Sequence, residues 1–71
     1  METITITTEF IRLQDLMKLA NMVSSGGEAK QLIQDDQVLV NGETCLQRGK
    51  KLRPGDTVTF RNRTYTTAYA T

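Results

Sequence analysis

The stretch Val38-Leu39-Val40-Asn41-Gly42-Glu43-Thr44-Cys45-Leu46-Gln47-Arg48-Gly49-Lys50-Lys51-Leu52-Arg53-Pro54-Gly55-Asp56 decides how this chain folds. Three β-favouring apolar residues run into Asn41-Gly42, and both of those residue types tolerate the positive φ that a tight hairpin turn demands. The chain is expected to reverse there and return over residues 43–46. Further on, Arg48, Lys50, Lys51 and Arg53 set four cations within six residues, with Leu52 the one apolar residue among them. Pro54-Gly55 presets a second turn, proline by fixing its own φ and glycine by accepting a left-handed one. A basic run held between two turns is expected to project as a loop and focus positive potential, instead of spreading around a helix.

Downstream of that stretch, Thr57-Val58-Thr59-Phe60 alternates with period two and reads as a strand. Arg61-Asn62-Arg63 reads as another turn, leading into a strand over Thr64-Tyr65-Thr66-Thr67, and Tyr69-Ala70-Thr71 is expected to fray. Upstream, Thr3-Ile4-Thr5-Ile6-Thr7 alternates in the same way, with Ile4 and Ile6 facing inward. The spacing predicts a helix over 10–21, because Leu13, Leu16, Met17 and Ala20 form one apolar stripe away from Arg12, Asp15 and Lys18; Phe10 and Met17 are expected in the core. Ser25 with Glu28 three residues on matches a capping box. A second helix is expected from there to about residue 35, with Ala29, Leu32 and Ile33 inward and Lys30, Gln31 and Gln34 toward solvent. Gly26-Gly27 in its first turn lowers helix propensity, by about 1 kcal/mol each in a helix interior and less at an end. Two explanations stand side by side: the glycines allow a tight turn between the helices, or they let a phosphate approach the free N–H groups of the helix start. A strand, two helices and then several strands make an α+β arrangement, not a succession of βαβ units.

Seventy-one residues are enough for one domain, close to the size at which a single core only just suffices. The single cysteine, Cys45, has no partner for an internal disulfide and no histidine to activate it, so it reads as a small hydrophobe in a reducing compartment. With no histidine and no dense acidic spacing, neither a metal site nor a nucleophile–base pair can be assembled. Asp35 and Asp36 are adjacent and do not face each other on a helix, and neither the phosphate loop nor the dinucleotide fingerprint is present. The sequence therefore predicts no enzyme, no metal and no cofactor. No stretch approaches the ~20 apolar residues of a membrane span, and the first residues lack the features of a signal peptide. A soluble cytoplasmic protein with no membrane partner is expected. The net charge of +1 conceals a division: residues 1–36 carry three cations and six carboxylates, net −3, whereas residues 37–71 carry six and two, net +4.

The succession Arg12-Leu13-Gln14-Asp15-Leu16, Ser24-Ser25-Gly26-Gly27-Glu28-Ala29-Lys30-Gln31-Leu32-Ile33, Val38-Leu39-Val40-Asn41-Gly42-Glu43 and Arg48-Gly49-Lys50-Lys51-Leu52-Arg53-Pro54-Gly55-Asp56 resembles the S4 RNA-binding domain. More closely it is similar to the short bacterial proteins made of that domain alone, the YaaA/YbcJ-like group. The resemblance covers residues 7–58 in order and spacing. It implies one S4-like (αL) domain over 1–71, with two helices packed on a small, bent antiparallel sheet and RNA contacted by the helix pair and the basic loop. Carried over residue by residue, it implies RNA-binding roles for Arg12 at the first helix, for Ser25, Gly26, Gly27 and Lys30 at the start of the second, and for Arg48, Lys50, Lys51 and Arg53 in the loop. Many larger relatives have arginine after the serine pair, where this chain has Gly26; contact there falls to backbone N–H groups and Lys30.

No aromatic residue interleaves with these cations in sequence. The expected ligand is therefore structured RNA of the ribosomal or transfer class, read through shape and phosphates and not by stacked bases. A monomer is expected, with a ribosomal particle as a candidate setting. The alternative function is a protein-docking adaptor on ribosomal or replication proteins, with the same basic loop set against an acidic partner. Both readings require Lys30 and Lys50 to share one side of the molecule.

Overall fold

The computed structural model describes residues 2–70, and its core forms where the helical stripe meets the strand alternation. Strand β1 (Glu2–Ile6) buries Ile6 and half-buries Ile4. The two-residue β2 (Ile11–Arg12) leads directly into helix α1 (Leu13–Leu19), in which Leu13, Leu16 and Met17 are fully buried. Helix α2 (Gly26–Gln34) turns Ala29 and Ile33 inward, with Leu32 packed at the margin. Then come β3 (Val38–Val40), β4 (Glu43–Thr44), β5 (Lys51–Leu52), β6 (Thr57–Phe60) and β7 (Arg63–Tyr69). Val38, Val58 and Phe60 complete the core from the sheet, and Leu52 joins it from the basic run. No helix in the described residues is long and apolar enough to cross a membrane.

Five strands form one sheet in the order β1-β7-β6-β3-β4. The expected antiparallel sheet is present as β7-β6-β3-β4, joined by tight hairpins at Asn41-Gly42 and Arg61-Asn62. Asn41 and Gly42 have φ of 52° and 86°, and Arg61 and Asn62 have 51° and 65°. These are the left-handed pairs that match strand twist in a two-residue turn. Strand β1 extends this sheet in parallel, Glu2 opposite Tyr65 through Ile6 opposite Tyr69, so the first and last described strands lie side by side.

Several expectations are corrected. The first helix begins at Leu13 and not at residue 10, because Ile11 and Arg12 are extended and pair with Leu52 and Lys51. Phe10 therefore falls outside the helical stripe, and it is only partly buried. The return strand after Gly42 ends at Thr44 instead of residue 46: three-residue β3 offers little to pair with, and Leu46 is left 60% exposed. Cys45 packs against the core edge as a small hydrophobe should. Fraying is overturned at Tyr69, which closes β7, and at Ala70, whose N–H donates to the Ile6 carbonyl at 2.8 Å. Met1, at the start of the stretch expected to lack signal-peptide features, and Thr71, at the end of the one expected to fray, lie outside the described residues.

Candidate nucleic-acid interface

The basic run is not a free loop. Gln47 and Lys50 close a turn through a Lys50 N–H bond to the Gln47 carbonyl at 3.2 Å, and the chain then enters β5. Successive strand side chains point to opposite faces, so fully buried Leu52 commits Lys51 to solvent. Pairing with β2 sets Arg12 opposite Lys51. Helix α1 completes the attachment: the Leu13 N–H donates to the Lys50 carbonyl at 2.9 Å, and the Gln14 N–H donates to the Arg48 carbonyl at 3.1 Å. A helix start leaves its first N–H groups without internal partners. Here the cap residue, Arg12, makes no side-chain capping bond, and carbonyls of the basic run take that place.

The result is an open cleft of about 380 Å³ lined by Arg12, Gln14, Arg48, Gly49 and Lys51. Three of the predicted cations meet there although Arg12 and Arg48 are far apart in sequence. Lys50 faces a neighbouring groove that includes Val40, Glu43, Cys45 and Leu46. Arg53 opens the second turn. Its N–H donates to Asp56 Oδ2 at 2.7 Å, the Asp56 N–H returns to the Arg53 carbonyl at 2.9 Å, and Gly55 takes a φ of 99°.

The remaining predicted positions lie on α2. Ser25 caps this helix by accepting from the Glu28 N–H at 3.2 Å. Among the hydrogen bonds of the described residues the reciprocal bond from the Glu28 carboxylate is missing, so the capping box is half formed. A side chain at Gly26 would meet nothing within 4 Å, and one at Gly27 only Ser25 Oγ at 3.9 Å; neither glycine has a left-handed φ. The fold therefore requires glycine at neither position, which removes the tight-turn explanation and leaves an unobstructed helix start. Lys30 is exposed on α2, and among the described residues no hydrogen bond or ion pair links residues 25–30 to the Arg12–Arg48–Lys51 cleft.

Electrostatically, Arg12, Lys30, Arg48, Lys50, Lys51 and Arg53 are all exposed. The ion pairs among the described residues, Lys18 with Asp15 and Arg63 with Glu2, involve none of the six. Cations without an internal carboxylate are free to neutralise an external anion. No group of histidine, cysteine or carboxylate side chains among the described residues could hold a metal ion.

One neighbour escaped sequence reasoning. Phe10 lies beneath the Lys51 ammonium, 4.8 Å from Nζ to the ring centroid. An aromatic residue thus does stand among the cations, in contrast to the sequence expectation. The only available signal was the β2–β5 pairing, and two residues of unlike composition carry no periodicity by which to find it.

The model of the S4 domain family matches residues 4–68. A protein of Bacillus subtilis (strain 168), described as the probable ribosome maturation protein RlbA, is 47% identical over 55 residues, which cover 78% of each chain. The solution structure of YbcJ from E. coli, described as revealing an ALFAL motif involved in RNA-binding, matches with a TM-score of 0.72 at 30% identity, over 96% of this chain and 87% of that one.

Proposed function

This chain belongs to the S4 domain family, and on that footing we propose that it is a non-catalytic RNA-binding module that grips the phosphates of structured RNA. The observation that carries this reading is the set of exposed cations without carboxylate partners among the described residues, three of them drawn into one cleft by the β2–β5 pairing. Arg12, Arg48 and Lys51 would contact phosphates from the cleft, with Lys50 and Arg53 on its flanks. Ser25, Gly26, Gly27 and Lys30 would present a second contact at the α2 start, where bare backbone N–H groups favour an anion. Ribosomal RNA is the favoured target, since the Bacillus relative is named for ribosome maturation.

Salt dependence tests the reading most directly. With about four phosphates neutralised, the logarithm of affinity should fall with the logarithm of salt at a slope of roughly −3. Replacing Lys50 and Lys51 together with alanine should reduce that slope by about 1.5 to 2 and weaken binding across RNA sequences alike. An unchanged affinity and slope, in a variant that still folds, would remove the basic run from the interface.

The glycines give a second measurement, because the fold and the ligand ask different things of them. Gly26→Ala with Gly27→Ala should raise stability by up to about 1 kcal/mol, since alanine restores helix propensity and both positions have room for a methyl group. The same variant should bind RNA several-fold less tightly. Thermal melting beside a binding titration separates the two effects; a stabilised variant with wild-type affinity would exclude the α2 start from the interface.

A further inference from the structure

Phe10 stands beside the cationic cleft, and phosphate contacts alone give it no task. Phe60 and Tyr65 are buried in the sheet, whereas Phe10 remains partly exposed, where an aromatic ring gains less from leaving water. Its backbone is held in place: the Thr8 hydroxyl donates to the Phe10 carbonyl at 2.6 Å, and β2 begins at the next residue. The Lys51 ammonium that lies 4.8 Å from the ring centroid also lines the cleft with Arg12 and Arg48. A nucleotide whose phosphate met Lys51 would carry its base within reach of that ring. In a duplex, base faces are covered by stacked neighbours, so only an unpaired base is free to use it.

Building on the RNA-binding reading above, we infer that Phe10 forms a base-stacking subsite for one unpaired nucleotide at the edge of the cleft. The cation–π contact in the free protein marks the place: on binding, the phosphate takes over the ammonium and the base takes over the ring. The ligand is then a structured RNA with a single-stranded flank or bulge next to the phosphates gripped by Arg12, Arg48 and Lys51. Stacking of this kind tolerates any base, because each offers a π-face.

Two labelled RNAs test the subsite by fluorescence anisotropy at fixed low salt: a blunt RNA hairpin, and the same hairpin extended by an unpaired adenosine. Wild-type protein should prefer the extended hairpin. Phe10→Leu, which keeps an apolar side chain, should lose about five- to tenfold affinity for the extended hairpin and change by less than about twofold on the blunt one. Phe10→Trp should keep the preference, and its indole emission should be quenched by the extended hairpin alone. Equal losses of Phe10→Leu on both RNAs, or no loss on either, would overturn the subsite, as would Phe10→Trp emission indifferent to the extension. If wild-type protein bound neither hairpin, the RNA-binding reading itself would fall; a wild-type protein that binds both hairpins equally defeats the subsite alone.

Discussion

Replacing Leu52 with alanine is expected to remove about 2–5 kcal/mol of stability, from a domain whose total is about 4–10 kcal/mol. Leu52 is fully buried, and the loss combines the transfer energy of the deleted carbons with the cavity left behind. The same side chain connects the core to the cationic cleft. It belongs to the one pairing that holds β2 against β5, with Ile11 opposite Leu52 and Arg12 opposite Lys51. Loosening that pairing would also release the α1 start from the Lys50 and Arg48 carbonyls. RNA affinity should therefore drop although every cation remains in the chain. In urea the midpoint should fall with the slope unchanged. Leu52→Met, which nearly conserves volume, should stay within about 1.5 kcal/mol of wild type. A Leu52→Ala variant less than about 1 kcal/mol destabilised would mean that the basic run is not fixed through the core.

How much of this was legible in the sequence follows from how local each determinant is. Asn41-Gly42 and Pro54-Gly55 were readable because backbone preference at those residues sets the turn by itself. The α2 start was readable because Ser25 and its acceptor role involve a partner three residues away. Pairing of β1 with β7 was not, since it joins the first and last described strands and leaves no trace in either alternation. The start of α1 is not legible for the same reason: distant Lys51 and Leu52 draw Ile11 and Arg12 into a ladder, and nothing local to Ile11 and Arg12 reports it. The S4 family resemblance is legible in the residues themselves and is borne out by the family match. Composition told that the cations were concentrated in the second half of the chain. It did not tell that Arg12, from the acidic half, would be carried among them, or that Phe10 would come with it.

The same dependence on distant partners shapes the surface electrostatics. Arg61 and Arg63 belong to the basic half, yet they are at the β6–β7 turn, and Arg63 is engaged by Glu2 from the parallel strand. Near neutrality overall thus divides into cations already answered by carboxylates and cations left open. Among the described residues the second group contains every cation of the run at residues 48–53 together with Arg12, Lys30 and Arg61.

Asn41→Ala is expected to cost about 2–3 kcal/mol and to lower the melting temperature by roughly 10–20 °C, on a scale of 4–8 °C per kcal/mol for a domain of this size. Two separate losses combine. Asn41 has a φ of 52°, and alanine in the left-handed region costs about 1 kcal/mol or more. The side chain also joins the two turns on either side of the basic run. Its Nδ2 donates to Asp56 Oδ1 at 3.1 Å, and its Oδ1 accepts from the Thr57 N–H at 2.9 Å. Each such bond contributes about 1 kcal/mol net. Asn41→Gly separates the shares, since glycine accepts the left-handed φ but makes neither bond; it should recover about 1 kcal/mol relative to alanine. Combining Asn41→Ala with Asp56→Ala should cost less than the sum of the single changes, because the bond they share is lost only once. If glycine proved as damaging as alanine, the conformational share would be absent; if the two changes were additive, Asn41 and Asp56 would act independently. Thermal melts of the four variants beside the wild type decide both points. The choice of asparagine over glycine at this turn then has a physical reason: glycine supplies only the reversal, whereas asparagine also ties it to the turn that follows the basic run.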